Sequence, residues 1–99
     1  MAIVEVSVVP LGVSDTSLSD YVADALKVLK DSGLKFELTS MGTIVEGDLG
    51  TILGVISDMH ETPFRKGIMR VLTTIKIDDR RDKDASSAGK VGSVVRKMR

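Results

Sequence analysis

Leu38-Thr39-Ser40-Met41-Gly42-Thr43-Ile44-Val45-Glu46-Gly47 reads as a strand, a tight turn at Met41-Gly42, and a second strand closing at Glu46-Gly47. Glycine supplies a backbone kink that other residues resist, and short hairpins are built around such residues. Turns gather Ser, Thr and Gly for conformational reasons alone, so the stretch is a hairpin before it is anything else. It also aligns the hydroxyls of Ser40 and Thr43 and the carboxylate of Glu46 beside the turn, which suits a small polar or cationic ligand.

On the N-terminal side, Ile3 to Pro10 alternates, with Val4, Val6 and Val8 on one face and Ile3, Glu5, Ser7 and Val9 on the other. That pattern is a strand, stopped by Pro10 and Gly12. Ser14 to Ser17 form a polar loop. Ser17 with Asp20 resembles a capping box in which Asp replaces the usual Glu. Leu18, Val22, Ala25, Leu26 and Leu29 then recur at helical spacing, and Gly33 closes the helix. Lys35 to Thr39 leads into the hairpin.

On the C-terminal side, Asp48 is placed to cap a second amphipathic helix carrying Leu49, Ile52, Leu53, Ile56 and Met59, with Pro63 just beyond it. Ile68 to Ile77 is a long fourth strand. Val71, Thr73, Ile75 and Ile77 share one face; Arg70, Leu72, Thr74 and Lys76 share the other. Asp78 to Asp84 is a charged loop. Ser86 or Ser87 caps a last helix with Val91, Val94, Val95 and Met98, in which Gly89 and Gly92 each cost about 1 kcal/mol relative to Ala. A helix that weak needs a packing partner.

The order is β-α-β-β-α-β plus a terminal helix. This is an α+β, ferredoxin-like pattern: a four-stranded antiparallel sheet with two helices on one face, forming a single domain over residues 1–99. The uncovered face mixes Glu5, Ser7, Glu37, Thr39, Arg70, Thr74 and Lys76 with Val9 and Leu72. The fourth strand exceeds its neighbours, and its overhang leaves unpaired backbone that invites a second copy. A homodimer, or a homotetramer built as a pair of dimers, is expected.

Composition narrows the function classes. The core must come from Val, Ile and Leu, because the chain holds no Trp, one Tyr and two Phe. Fourteen basic side chains balance fourteen acidic ones, which gives no global electrostatic case for nucleic acid or membrane. The balance is uneven along the chain: residues 1–79 carry a net −5 and residues 80–99 a net +5. The basic tail is either a solvated helix or an arm that docks on an acidic surface of another subunit. With no cysteine, disulfides and thiolate chemistry are excluded, which fits a reducing, cytoplasmic location. Met1 leads directly into a strand pattern, so no signal peptide is expected, and no apolar run reaches a membrane-spanning length.

His60, the only histidine, ends the second helix between Met59 and Glu61, with Asp58 nearby. One histidine with helix-surface carboxylates makes a weak metal site, and its position suits a helix-end structural role or a subunit contact. No catalytic constellation stands out, so no enzyme is expected. Gly47-Asp48-Leu49-Gly50 lacks the pattern of a phosphate loop. RNA-recognition domains share this strand order but stack bases on aromatics of the central strands. Here those strands offer Glu5, Ser7, Val9, Arg70, Leu72 and Thr74. What remains is Ser40, Met41, Gly42, Thr43 and Glu46: hydroxyls for a heterocycle nitrogen, a polarizable sulfur for an aromatic ring, and a carboxylate for a cation.

Five motifs recur in order: Val6-Ser7-Val8-Val9-Pro10-Leu11-Gly12, Ser19-Asp20-Tyr21-Val22-Ala23, Ser40-Met41-Gly42-Thr43-Ile44-Val45-Glu46-Gly47, Lys76-Ile77-Asp78-Asp79-Arg80 and Lys90-Val91-Gly92-Ser93-Val94. With them the chain resembles the small single-domain members of the thiamine-binding, YkoF-like family over nearly its whole length. The resemblance implies a ferredoxin-like fold in dimers and often tetramers, no catalytic activity, and a ligand that is thiamine or its hydroxymethylpyrimidine half; no metal and no cofactor is expected. The positions carried over are Thr43 above all, with Ser40, Met41, Gly42 and Glu46. Thiamine offers a flat aminopyrimidine edge to Ser40 and Thr43 and a cationic thiazolium to Glu46. Tyr21, the only tyrosine, is either one wall of that site or a helix residue half-buried at the sheet edge. The competing reading is a structural or regulatory oligomeric module whose interfaces bind a different small molecule or an anion.

Overall fold

The valine alternation of the N-terminal stretch becomes β1 (Ala2–Leu11), the strand around which the sheet is built. A computed structural model describes residues 1–13, 18–82 and 86–99 of the chain. The loop at 14–17, the Ser17 end of the expected capping box, and residues 83–85 of the charged loop lie outside the described residues. β1 is followed by α1 (Ser19–Ser32), β2 (Lys35–Leu38), β3 (Thr43–Gly47), α2 (Leu49–Glu61), a single 3-10 turn at Phe64–Lys66, β4 (Arg70–Asp79) and α3 (Ser87–Lys97). The 3-10 turn begins at Pro63, whose fixed φ suits it.

The four strands lie in the order β2-β3-β1-β4 and every neighbouring pair is antiparallel. This is the ferredoxin-like arrangement. Register assigns the faces. Val4 lies opposite Val45 and Ile77, and Val6 opposite Thr43 and Ile75. Ala2, Val4, Val6 and Val45 are buried against Ala25 and Leu29 of α1 and Ile52, Ile56 and Met59 of α2. Both long helices therefore cover this one face.

Helix ends follow the local chemistry. Gly33 ends α1 at φ +78°, the left-handed conformation that glycine adopts without a Cβ penalty. Asp48 caps α2: its carboxylate accepts from the Thr51 backbone N–H at 3.0 Å. Ser86 caps α3 by accepting from the Gly89 N–H at 2.9 Å. Among the described residues no helix is long and apolar enough to cross a membrane.

Two expectations are corrected. β4 does not overhang alone, because β1 matches it residue for residue from Ala2↔Asp79 to Leu11↔Arg70. The overhang belongs to both strands: β3 pairs with β1 only from Ala2 to Val6, so the β1–β4 ribbon continues past the point where β3 ends. The apolar stripe of α2 is also not wholly core, since Leu53 stays exposed, as do Ile75 and Ile77. These three belong together. His60 of α2 meets Thr73 of β4 with Nδ1 and Oγ1 2.7 Å apart. Leu53 is two turns earlier on the same side of α2, about 10 Å back along the axis. That distance spans about three residues of the antiparallel β4, which puts Leu53 level with Ile75 and Ile77. An apolar margin thus runs along the free edge of the sheet.

Candidate functional site

A cavity of about 180 Å³ opens where β3 begins and the sheet narrows from four strands to two. Its floor is β1 from Val6 to Val9. α1 contributes Leu18, Val22 and Leu26 as one wall, and the hairpin turn from Leu38 to Thr43 forms the other. Among the described residues β1 beyond Val6 has no strand partner on the β3 side, so this stretch of its edge presents backbone groups instead of a completed ladder. No lining residue among those described carries a charge, and none is aromatic.

The turn is built differently from the sequence reading. It centres on Ser40-Met41, not Met41-Gly42: the Thr39 N–H donates to the Gly42 carbonyl at 2.8 Å across the two tip residues. The Thr39 hydroxyl also donates to that carbonyl at 2.9 Å and accepts from the Met41 N–H at 3.3 Å. Glycine is not needed at 42 for a left-handed φ, since Gly42 has none. It is needed for close approach: a Cβ there would lie 3.1 Å from the Val6 carbonyl oxygen. The turn thereby rests directly on the β1 backbone at the cavity floor.

Four of the six expected site residues come together here. Ser40, Met41, Gly42 and Thr43 all line the cavity. Thr43 is nearly buried on the helix-facing side of β3, while Ser40 and Met41 are exposed at the mouth. Glu46 is not with them. Side chains alternate along a strand, so Thr43 and Val45 face the helices and Ile44 and Glu46 face the opposite side. On that side Glu46 is 6% exposed. One carboxylate oxygen accepts from the Ser87 N–H at the start of α3, and the other pairs with Lys35 Nζ at 3.2 Å. The Ser87 N–H first, and Lys35 after it, hold the Glu46 carboxyl below its ordinary value of 4.5, against the upward push of burial.

Tyr21 also lies apart from the cavity. Lys66 Nζ sits over its ring, 5.3 Å from the centroid, and pairs with Asp24 at 2.6 Å. Tyr21 thus belongs to the seam between α1 and the 3-10 turn. His60 bonds Thr73 and meets the Phe64 ring edge-on at 5.5 Å between centroids, a contact that ties α2 to β4. Among the described residues no three His, Asp or Glu side chains converge as metal ligands.

The walls that sequence reasoning missed are Val6, Val8, Leu18, Val22 and Leu26. Their periodicity marks them as facing inward. The added signal is that strand 35–39 and strand 43–46 are half the length of the first strand, so some inward-facing residues of β1 and α1 have no β3 to pack on. The cavity can hold a flat, uncharged ring between aliphatic walls, with hydroxyl and backbone groups at its rim.

A family model described as thiamine-binding protein matches residues 4–95. The UPF0045 protein YqgV of Bacillus subtilis is 45% identical over 98 residues, spanning 95% of this chain and 94% of the relative. The crystal structure of a hypothetical protein from Methanocaldococcus jannaschii superposes with a TM-score of 0.87 at 38% identity, covering 95% of each chain. A Thermotoga maritima protein, named for a proposed part in thiamine biosynthesis or salvage, shares the fold with a TM-score of 0.74 at 22% identity over 99% of this chain and 98% of its own.

Proposed function

Because the chain belongs to the thiamine-binding protein family, we propose that it is a non-catalytic binding protein for thiamine or a thiamine-related pyrimidine, acting in the cytoplasm as a homo-oligomer. One observation supports this reading above the others: the cavity at the Ser40–Thr43 turn is small, apolar-walled and uncharged among its described lining residues. About 180 Å³ is below the ~300–1,000 Å³ of pockets that enclose a whole drug-sized ligand. It suits one substituted six-membered ring. The aminopyrimidine half enters, its donor and acceptor edge meeting the Thr43 and Ser40 hydroxyls and the free backbone edge of β1. The cationic thiazolium of thiamine stays at the mouth beside Met41. Glu46, spent on Lys35 and Ser87, takes no part.

Assembly begins at β4. Its ten residues pair on one side only, and Leu53, Ile75 and Ile77 line the free edge with exposed apolar surface. An open edge of that length pairs with its own copy, as edge strands do when nothing blocks them.

Calorimetric titration with thiamine and with hydroxymethylpyrimidine tests the binding reading. Thr43→Val keeps the shape and removes one hydroxyl. A lost hydrogen bond to a buried ligand edge costs ~1–3 kcal/mol, which is about five- to more than a hundredfold in affinity. Binding that weakens by this much for both ligands supports the site. Wild-type protein that takes up neither ligand ends the proposal.

A further inference from the structure

The chain holds five methionines and no cysteine, so its reversible reaction with a peroxide falls to methionine sulfur. Two of the five, Met41 and Met59, line the ligand cavity. Met59 belongs to the core and is 2% exposed, which shields it from an oxidant in solvent. Met41 stands at the tip of the β2–β3 turn and is 83% exposed. The cavity thus has one sulfur protected on its buried side and one open at its mouth.

The backbone beneath Met41 is held in place. Its N–H donates to the Thr39 hydroxyl at 3.3 Å, and the Thr39 N–H closes the turn on the Gly42 carbonyl at 2.8 Å. Gly42 in turn lies against the Val6 carbonyl, close enough that a Cβ would sit 3.1 Å from its oxygen. With the turn fixed, the side chain's own torsions carry the sulfur between the mouth and water. A thioether is apolar and polarizable, and its sulfur lies favourably against an aromatic ring. A peroxide changes that. A sulfur lone pair forms the new S–O bond, the O–O bond breaks, and hydrogen peroxide leaves as water; the sulfur is oxidised by two electrons and the peroxide reduced by two. The product is a polar sulfoxide. To cover a ring, the sulfoxide must shed its bound water; turned outward, it leaves the ring uncovered. We propose, on the binding reading given above, that Met41 is a reversible oxidation site whose sulfoxide lowers affinity for the ring held in the cavity. Losing a sulfur–ring contact weakens binding about two- to tenfold, and hydration of the sulfoxide adds to the loss. Met69 and Met98, 91% and 79% exposed, are oxidised too, but neither is among the described lining residues.

The test treats native wild type and Met41→Leu with hydrogen peroxide and maps the sulfoxides by peptide mass. Calorimetry gives the affinity for hydroxymethylpyrimidine before treatment, after it, and after repair with the two methionine sulfoxide reductases. The expected result is a loss of about three- to tenfold in wild type, recovered on repair. Met41→Leu keeps its own starting affinity through the same treatment, although Met69 and Met98 carry sulfoxides. A second variant, Met69→Leu with Met98→Leu, retains Met41 and shows the same loss as wild type. Wild type that carries the Met41 sulfoxide and binds as before overturns the proposal. So does an equal loss in Met41→Leu, no loss in the double variant, a loss that repair does not reverse, or a Met41 that stays reduced while Met69 is oxidised. Untreated wild type that takes up neither hydroxymethylpyrimidine nor thiamine is a different failure: it ends the binding reading itself, and the oxidation site with it.

Discussion

Replacing Gly42 by Ala separates two reasons for a glycine. At Gly33 the backbone is left-handed, and an added Cβ meets nothing within 4 Å. At Gly42 the backbone is ordinary, and an added Cβ lies 3.1 Å from the Val6 carbonyl oxygen and 3.6 Å from Glu5 Cγ. Val6 is paired with Thr43 on one side and Ile75 on the other, so β1 cannot recede. The turn must move instead, by a few tenths of an ångström. Crowding of this kind costs ~1–3 kcal/mol, and one methyl against one oxygen belongs at the low end. Against it stands a gain of ~0.4–1 kcal/mol from stiffening the unfolded chain. The expected stability change for Gly42→Ala is thus a loss of no more than about 1 kcal/mol, or at most ~4–8 °C in Tm for a domain of this size. The effect on binding is larger, because Ser40 and Met41 travel with the turn: affinity for the pyrimidine falls at least tenfold. Gly33→Ala shows the reverse, a strain cost of ~1–2 kcal/mol with unchanged affinity. Urea unfolding and calorimetry on the two variants provide the numbers. If Gly42→Ala gains the full unfolded-state benefit and binds as wild type does, the close approach at Val6 is not what shapes the cavity.

Leu29 is fully buried at the centre of the core, so Leu29→Ala leaves a cavity and costs ~2–5 kcal/mol by urea midpoint, a large share of a total near ~5–15 kcal/mol. Glu46→Gln keeps an acceptor for Ser87 and removes the charge that Lys35 pairs with. Folding lowers the Glu46 pKa, so its contribution is complete above the ordinary value of 4.5 and disappears as pH falls through the lower native value. Stability measured against pH should therefore show wild type above Glu46→Gln at neutral pH and the two converging below 4.5; a constant gap across that range contradicts the ion contact.

Most of the fold is legible in the chain because each element carries its own punctuation. Valine alternation marks β1, Gly33 and Asp48 mark helix ends, and the paired short strands mark the hairpin. What eluded the sequence depends on two elements at once. The length of β4 is readable, but the equal length of β1 beside it emerges only from the register. Gly42 reads as a turn residue because that is the common reason for glycine; its contact with Val6 belongs to a strand more than thirty residues away. Glu46 was separable from Thr43 by alternation alone, since an odd and an even position of one strand face opposite ways. The hairpin motif hides this by presenting both as one run of polar residues. The stripe Leu18, Val22 and Leu26 reads as core for good physical reason, and becomes a cavity wall only because β3 begins at Thr43 and leaves β1 uncovered beyond Val6.

Methyl-labelled NMR during titration with hydroxymethylpyrimidine tests the placement of the ligand most directly. Binding at the turn shifts the methyl signals of Val6, Val8, Val22, Leu26 and Met41, and leaves those of Ile75, Val94 and Met98 unmoved. Saturable shifts confined to the β4 edge or to α3, with the cavity methyls still, would contradict the account.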